Sequence, residues 1–195
     1  MENIAATVSP AELATFADIF AFLALLMRYP EKSFFDNEFL DTLENLLGRL
    51  DLEHFQHKIT KWRASINDPL LDVQVEYTRL FINDAPNLVA PPYGSVYLES
   101  DGTLQGKTTE ATRAFYRQYG FDITNISEPA DHISLELEFV SRLYRQGDAE
   151  AAETFLSTLF LPWFTRFMEK LTPELRHPFF TVTMQLISLF IKEEQ

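Results

Sequence analysis

Apolar residues recur at three- and four-residue steps along most of the chain, a spacing that predicts helices. Leu13, Phe16, Ile19, Phe20 and Leu23 form one such face. Ser9-Pro10-Ala11-Glu12 opens it with Ser as N-cap, Pro at the first helical position and Glu closing a capping box. The helix ends near Tyr29-Pro30, and a second follows the Asp36 cap with the stripe Phe39, Leu40, Leu43, Leu46, Leu47 and Leu50. A third covers much of residues 53–66, and Asn67-Asp68-Pro69 opens a fourth that runs to Phe81.

The period then stops. Residues 82–107 carry Pro86, Pro91, Pro92, Gly94, Gly102 and Gly106 and no helical spacing, and an irregular stretch of that length is more often functional than not. Order resumes with Thr108 as a cap and ends at Gly120. Glu128-Pro129 starts a helix bearing Ile133, Leu137, Val140 and Tyr144, which Gly147 stops, and shorter helices follow at 149–160, 162–171 and 178–192. Strand-like alternation is confined to a few residues around Val96-Tyr97-Leu98. The expectation is an all-α fold: one globular domain over 1–195, about nine helices, and a Pro-rich central loop at about 82–107.

Composition sharpens this picture. The 46% hydrophobic fraction rules out a disordered chain, and 18 Phe and 7 Tyr against 6 Gly favour helices packed on helices. A net charge of −13 argues against a nucleic-acid binder and equally disfavours an anionic membrane surface. It suits a cationic partner, although the same charge also serves solubility alone. The absence of cysteine removes disulfides, thiolate metal sites and Cys nucleophiles and fits a reducing compartment. The apolar stretch 13–27 contains Asp18, follows Glu12 and has no preceding Lys or Arg, so it does not read as a signal peptide. No run is long enough to span a membrane, and the expected location is the cytoplasm.

Catalytic signatures are missing: no phosphate-cradling Gly-rich loop, no Gly-x-Ser-x-Gly elbow, no Cys constellation. The reading is a non-enzyme without cofactor or metal. His54 and His57 read as surface histidines. His132 and Glu136, four apart, suit a metal or a hydrogen bond, and the bond is favoured because no further His lies nearby. Glu136 and Glu138 do not face one another on a helix. Charge placement is more informative. No basic residue stands between Arg79 and Lys107, where Asp84, Glu99 and Asp101 occur, or between Arg117 and Arg142, where Asp122, Glu128, Asp131, Glu136 and Glu138 occur. Brought together, these segments make an acidic, aromatic-edged surface for a peptide that is Arg-rich at one end and apolar at the other. The alternative is that the carboxylates are solvated and unrelated.

Tyr77-Thr78-Arg79-Leu80-Phe81, then Pro91-Pro92-Tyr93-Gly94-Ser95-Val96-Tyr97, then Glu128-Pro129-Ala130-Asp131-His132-Ile133 stand in an order and spacing that resemble the TorD/DmsD family of redox enzyme maturation chaperones. Leu161-Pro162-Trp163 with Phe167, and His177-Pro178-Phe179-Phe180, resemble its C-terminal pattern, so the likeness covers about residues 10–192. The resemblance implies an all-helical, non-catalytic chaperone. It would bind the twin-arginine leader and apo form of a molybdopterin oxidoreductase and delay export until cofactor insertion is complete.

Carried over by position, the implied peptide-binding residues are Leu80, Phe81, Pro91, Pro92, Tyr93, Ser95, Tyr97, Glu128, Pro129, Asp131 and His132. Pro91 and Pro92 restrict the loop, Asp131 pairs with a leader arginine, and His132 orients that carboxylate or titrates near neutral pH. Asp131 and His132 also have a structural reading, the acid complementing the helix dipole and the imidazole capping or packing. The oligomeric state is read as a monomer or a domain-swapped dimer. The alternatives are a nitrate-reductase-type assembly chaperone for a non-exported molybdoenzyme, or a helical adaptor unrelated to molybdoenzymes.

Overall fold

The structure, a computed structural model, describes residues 9–83, 88–99, 106–124 and 127–193. Ten α-helices are present among them: α1 (Pro10–Leu26), α2 (Asn37–Arg49), α3 (Glu53–Ser65), α4 (Pro69–Tyr77), α5 (Gly94–Leu98), α6 (Lys107–Gln118), α7 (Ile133–Arg145), α8 (Ala149–Phe155), α9 (Leu161–Leu171) and α10 (Pro178–Glu193). Single π-helical turns, Thr78–Ile82 and Leu156–Phe160, extend α4 and α8. The described residues contain no strand, so the chain is all-α as expected.

Local chemistry sets most of the helix ends. Glu12 Oε2 accepts from the Ser9 N–H at 2.7 Å while Ser9 Oγ accepts from the Glu12 N–H at 3.3 Å, the predicted capping box. Asp36, Asp68 and Asp148 cap α2, α4 and α8 by accepting from Phe39, Leu71 and Ala151. Gly120 and Gly147, at φ +68° and +81°, take the left-handed conformation that lets the chain leave α6 and α7.

Three expectations change. The central segment contains a helix, α5, and Val96-Tyr97-Leu98 belongs to it rather than to a strand. α6 begins at Lys107 with Gly106 at its N-cap, so Thr108 lies inside the helix. α7 begins at Ile133, five residues after Glu128, because His132 supplies the cap. Asp84, Pro86, Asp101 and Gly102 of the expected loop lie outside the described residues.

The chain forms two compact units. Among the described residues the first comprises 9–25, 93–99, 106–124 and 127–165, and α7 is its axis. Phe139 is fully buried, with ring centroids 4.6 Å from Tyr116, 4.9 Å from Phe155 and 5.5 Å from Phe121. Tyr144 stacks on Phe16 and Phe20, and the Ser141 hydroxyl donates to the Ala17 carbonyl at 2.6 Å. Each such aromatic pair adds about 0.5–1.5 kcal/mol to area burial, so this ring cluster outweighs the exposed Arg145–Asp18 ion pair, worth about 0–1 kcal/mol.

The second unit comprises residues 26–92 and 166–193. Leu40, Leu43, Leu47, Ile59, Val73, Phe179 and Phe180 are buried there. The Trp62 indole N–H donates to Asp72 Oδ2 at 2.8 Å, and His177 Nε2 meets the same oxygen at 2.7 Å. His177 Nδ1 accepts from the Phe179 N–H at 3.2 Å, so the ring's proton sits on Nε2 and points at Asp72.

Candidate functional site

Seven of the eleven expected site residues lie in the first unit: Tyr93, Ser95, Tyr97, Glu128, Pro129, Asp131 and His132. The fold joins the two segments that carry them. Tyr93 and His132 form an antiparallel bridge, and the Gly94 N–H donates to the Asp131 carbonyl at 3.0 Å. This pairing holds the start of α5 against the turn that precedes α7.

Asp131 is fully buried, and its carboxylate is occupied from within the chain. Oδ2 accepts from the Ser95 N–H at 2.6 Å and Oδ1 from the Thr109 hydroxyl at 2.8 Å. One side chain thus ties α5, α6 and the start of α7 together. An acid with both oxygens engaged and no solvent exposure offers no free face to an incoming guanidinium, so the structural role is the one the geometry supports.

His132 caps α7. Its Nδ1 accepts from the Ser134 N–H at 3.2 Å and lies 2.7 Å from the Ser134 hydroxyl, and the Tyr93 ring meets the imidazole edge-on at 4.9 Å. The ring nitrogen that accepts from the Ser134 N–H is the one that carries no proton.

Beneath α5 lies Trp163, fully buried on α9. A Cβ on Gly94 would come within 3.0 Å of Trp163 Cδ1, so only glycine lets the backbone rest on the indole without displacing it. Tyr97 stacks over the same ring, 6.0 Å away and inclined by 20°. Burial pushes the Tyr97 phenol well above its usual range. The Ser95 hydroxyl is buried with no hydrogen-bond partner among the described residues. The Trp163 N–H donates to Glu136 Oε2 at 2.9 Å, and the Thr112 hydroxyl lies 3.4 Å from Oε1. Burial above all, and then the nearby Asp131, pushes the Glu136 carboxyl well above the usual carboxylate range.

The exposed part is smaller. The Tyr93 hydroxyl donates to Glu128 Oε2 at 2.8 Å on the surface, with Pro129 half-buried beside it. Glu128 also borders a cavity of about 560 Å³, whose wall includes Phe121, Asp122, Ile123, Arg113 and Arg117. The Arg113 charge is met by Glu110 at 2.6 Å. Arg142 lies over the Phe121 ring at 5.7 Å and donates to the Gly120 carbonyl. The cavity wall therefore combines apolar surface at Phe121 and Ile123 with two carboxylates, Asp122 and Glu128, and two guanidinium groups, Arg113 and Arg117.

The other four expected residues belong to the second unit and are buried there. Leu80 and Phe81 sit on the π-helical turn, Phe81 packed edge-on against Tyr77 at 4.9 Å and Phe180 at 5.4 Å. The Ala90 N–H donates to the Leu80 carbonyl at 2.9 Å, which fixes the approach to Pro91 and Pro92. Sequence reasoning passed over Thr109, Thr112 and Trp163 as parts of the site. The Leu161-Pro162-Trp163 pattern was the available signal, but nothing in it points to Glu136. No group of three or more metal-type ligands occurs among the described residues.

The profile described as nitrate reductase delta subunit matches residues 49–169. The chain belongs to that family. Among curated relatives, the Tat proofreading chaperone DmsD of Salmonella paratyphi A is 32% identical over 120 residues, 61% of this chain and 58% of that one. The match therefore spans less than two thirds of that relative's length. The chaperone protein TorD of Aliivibrio fischeri is 25% identical over 187 residues, 90% of this chain and 79% of that one. A solved structure described as a redox enzyme maturation protein from Archaeoglobus fulgidus superposes with a TM-score of 0.63 at 26% identity, covering 97% of this chain and 99% of that one. The named relatives of this family member are chaperones, not enzymes. No helix among the described residues is long and apolar enough to cross a membrane.

Proposed function

We propose that the chain binds the twin-arginine leader of a molybdoenzyme in the cytoplasm and holds the precursor until its cofactor is inserted. The observation that carries this reading is the Tyr93–Glu128 pair beside the cavity floored by Phe121 and Ile123. An exposed carboxylate accepts a guanidinium in a planar two-point bond, and the Tyr93 ring gives that guanidinium a face to stack on. The exposed Glu128 carboxylate beside the apolar surface of Phe121 and Ile123 fits a peptide whose arginines are followed by an apolar stretch. The net charge of −13 draws such a peptide in at low salt.

In this reading Glu128 and Tyr93 contact the leader, while Asp131, His132, Ser95 and Tyr97 hold the loop in place for it. Pro129 forms part of the rim. Leu80, Phe81, Pro91 and Pro92 support their own unit. The test is binding of a labelled leader peptide, followed by fluorescence anisotropy, to the wild type and to Glu128→Gln. Glu128→Gln is expected to bind about tenfold more weakly, the loss of one charge-assisted bond. Unchanged affinity would remove Glu128 from the site.

A second reading draws on the family match itself. A delta-subunit-type assembly chaperone would bind a client segment that lacks twin arginines. Binding of a client's N-terminal peptide that is indifferent to replacing its arginines would favour it.

A further inference from the structure

The first unit buries two carboxyl groups close together, Asp131 and Glu136, and both are fully inaccessible to solvent. The groups that face them come from four elements. α6 supplies the Thr109 and Thr112 hydroxyls and the Tyr116 phenol, which donates to the Ala130 carbonyl at 2.9 Å. α5 supplies the Ser95 N–H and α9 the Trp163 N–H. α7 itself adds Glu138, whose charge also acts on Tyr116. The buried His132 imidazole, which caps α7 between the two acids, turns its Nδ1 to the Ser134 N–H, and none of the groups that donate to the two carboxyls is cationic. Two buried carboxylates with only neutral donors would repel each other without compensation, and a buried acid in that position neutralises instead.

The donors distinguish the two acids. Asp131 accepts a backbone N–H at 2.6 Å and a hydroxyl at 2.8 Å, and it stands just before the positive end of α7. Glu136 has one firm donor, Trp163, and its other oxygen stands 3.4 Å from the Thr112 hydroxyl, which can accept a proton as well as give one.

We infer that Glu136 is held as an uncharged carboxylic acid and acts as a positioning residue, fixing the Trp163 indole on which Gly94 and Tyr97 rest. The consequence for binding rests on the proposed leader site: with the indole fixed, α5 keeps its place and Tyr93 keeps its reach to Glu128. Ionised, Glu136 would demand water or a cation, and it is fully shut off from solvent. Gln is the natural mimic of the neutral acid, since its carbonyl accepts from Trp163 and its amide donates to Thr112.

The infrared spectrum of the full chain at neutral pH tests the charge directly. A protonated-carboxyl C=O band is expected in the wild type and is lost in Glu136→Gln. Absence of the band in the wild type, or its survival in Glu136→Gln, would overturn the inference, the latter by making another acid the protonated one.

Positioning is tested by Trp163 emission, read alone in a Trp62→Phe background or, should that variant not fold, in the near-ultraviolet circular dichroism of the wild type. Glu136→Gln should leave the signal and the leader-peptide affinity unchanged to within about twofold. Glu136→Leu should shift the signal and weaken binding about tenfold. Equal signals from the Gln and Leu variants would show that the carboxyl does not hold the indole. Neither spectroscopic measurement uses peptide, so a failure of the leader site would leave this result standing.

Discussion

The Trp163 indole N–H donates to the Glu136 carboxyl at 2.9 Å in a place where neither side chain reaches solvent. This bond spans α7 and α9, and α5 rests on the ring it fixes. Replacing Trp163 by Phe keeps an aromatic plane but removes the donor. The expected cost is about 1–3 kcal/mol for the unsatisfied acid, with a smaller addition for lost volume. Urea unfolding measures it, and a variant as stable as the wild type would mean that the N–H contributes nothing.

Gly94→Ala tests the close approach of α5 to that ring. The added Cβ would sit 3.0 Å from Trp163 Cδ1, so the indole would have to shift by a few tenths of an ångström against its bond to Glu136. Overpacking of this kind costs about 1–3 kcal/mol. Double substitution with Trp163→Phe should recover part of the loss, and strict additivity in thermal unfolding would contradict the contact.

Asp131→Asn separates an anchor from a contact residue. Asn can keep its oxygen on the Ser95 N–H and turn its amide to the Thr109 hydroxyl, which must then reverse from donor to acceptor and leave its own proton without this partner. The chain should lose about 1–3 kcal/mol of stability. The salt dependence of leader affinity should not change, because no exposed charge is removed. A weaker salt dependence with full stability would restore Asp131 to the peptide contact.

Acid stability turns on Asp72. Burial raises its carboxyl, but the hydrogen bonds from Trp62 and His177 outweigh that and leave it below its ordinary value. A depressed folded-state value means stability that is present above the unfolded value of 3.8 and lost as pH falls through the lower folded one. Asp72→Asn should flatten this acid limb of the melting temperature against pH. An unchanged limb would assign it to other carboxylates.

Much of the fold was legible because its signals are local. The Ser9–Glu12 box, the Asp36 and Asp68 caps and the glycine stops at 120 and 147 act within one turn, and the apolar stripes report their own burial. α5 was not legible, since five residues are too few to show a helical period. Its position depends on the Ser95–Asp131 bond, between residues 36 apart in the chain. The same bond explains Asp131. An acid before a helix reads alike in sequence whether it faces water or a buried N–H, and only the return of the chain at α5 decides between them. Glu136 and Trp163, 27 residues apart, carry no mutual signal in either local pattern.

The central claim is tested most directly by calorimetric titration of the full chain with a twin-arginine leader peptide and with the same peptide carrying twin lysine. Guanidinium makes the planar two-point bond to Glu128 and stacks on Tyr93, and ammonium does neither as well. Binding of the arginine peptide is expected at about micromolar strength or tighter, with about tenfold weaker binding of the lysine peptide and a much smaller gap between the two in Glu128→Gln. Equal affinity of the wild type for both peptides would contradict the claim.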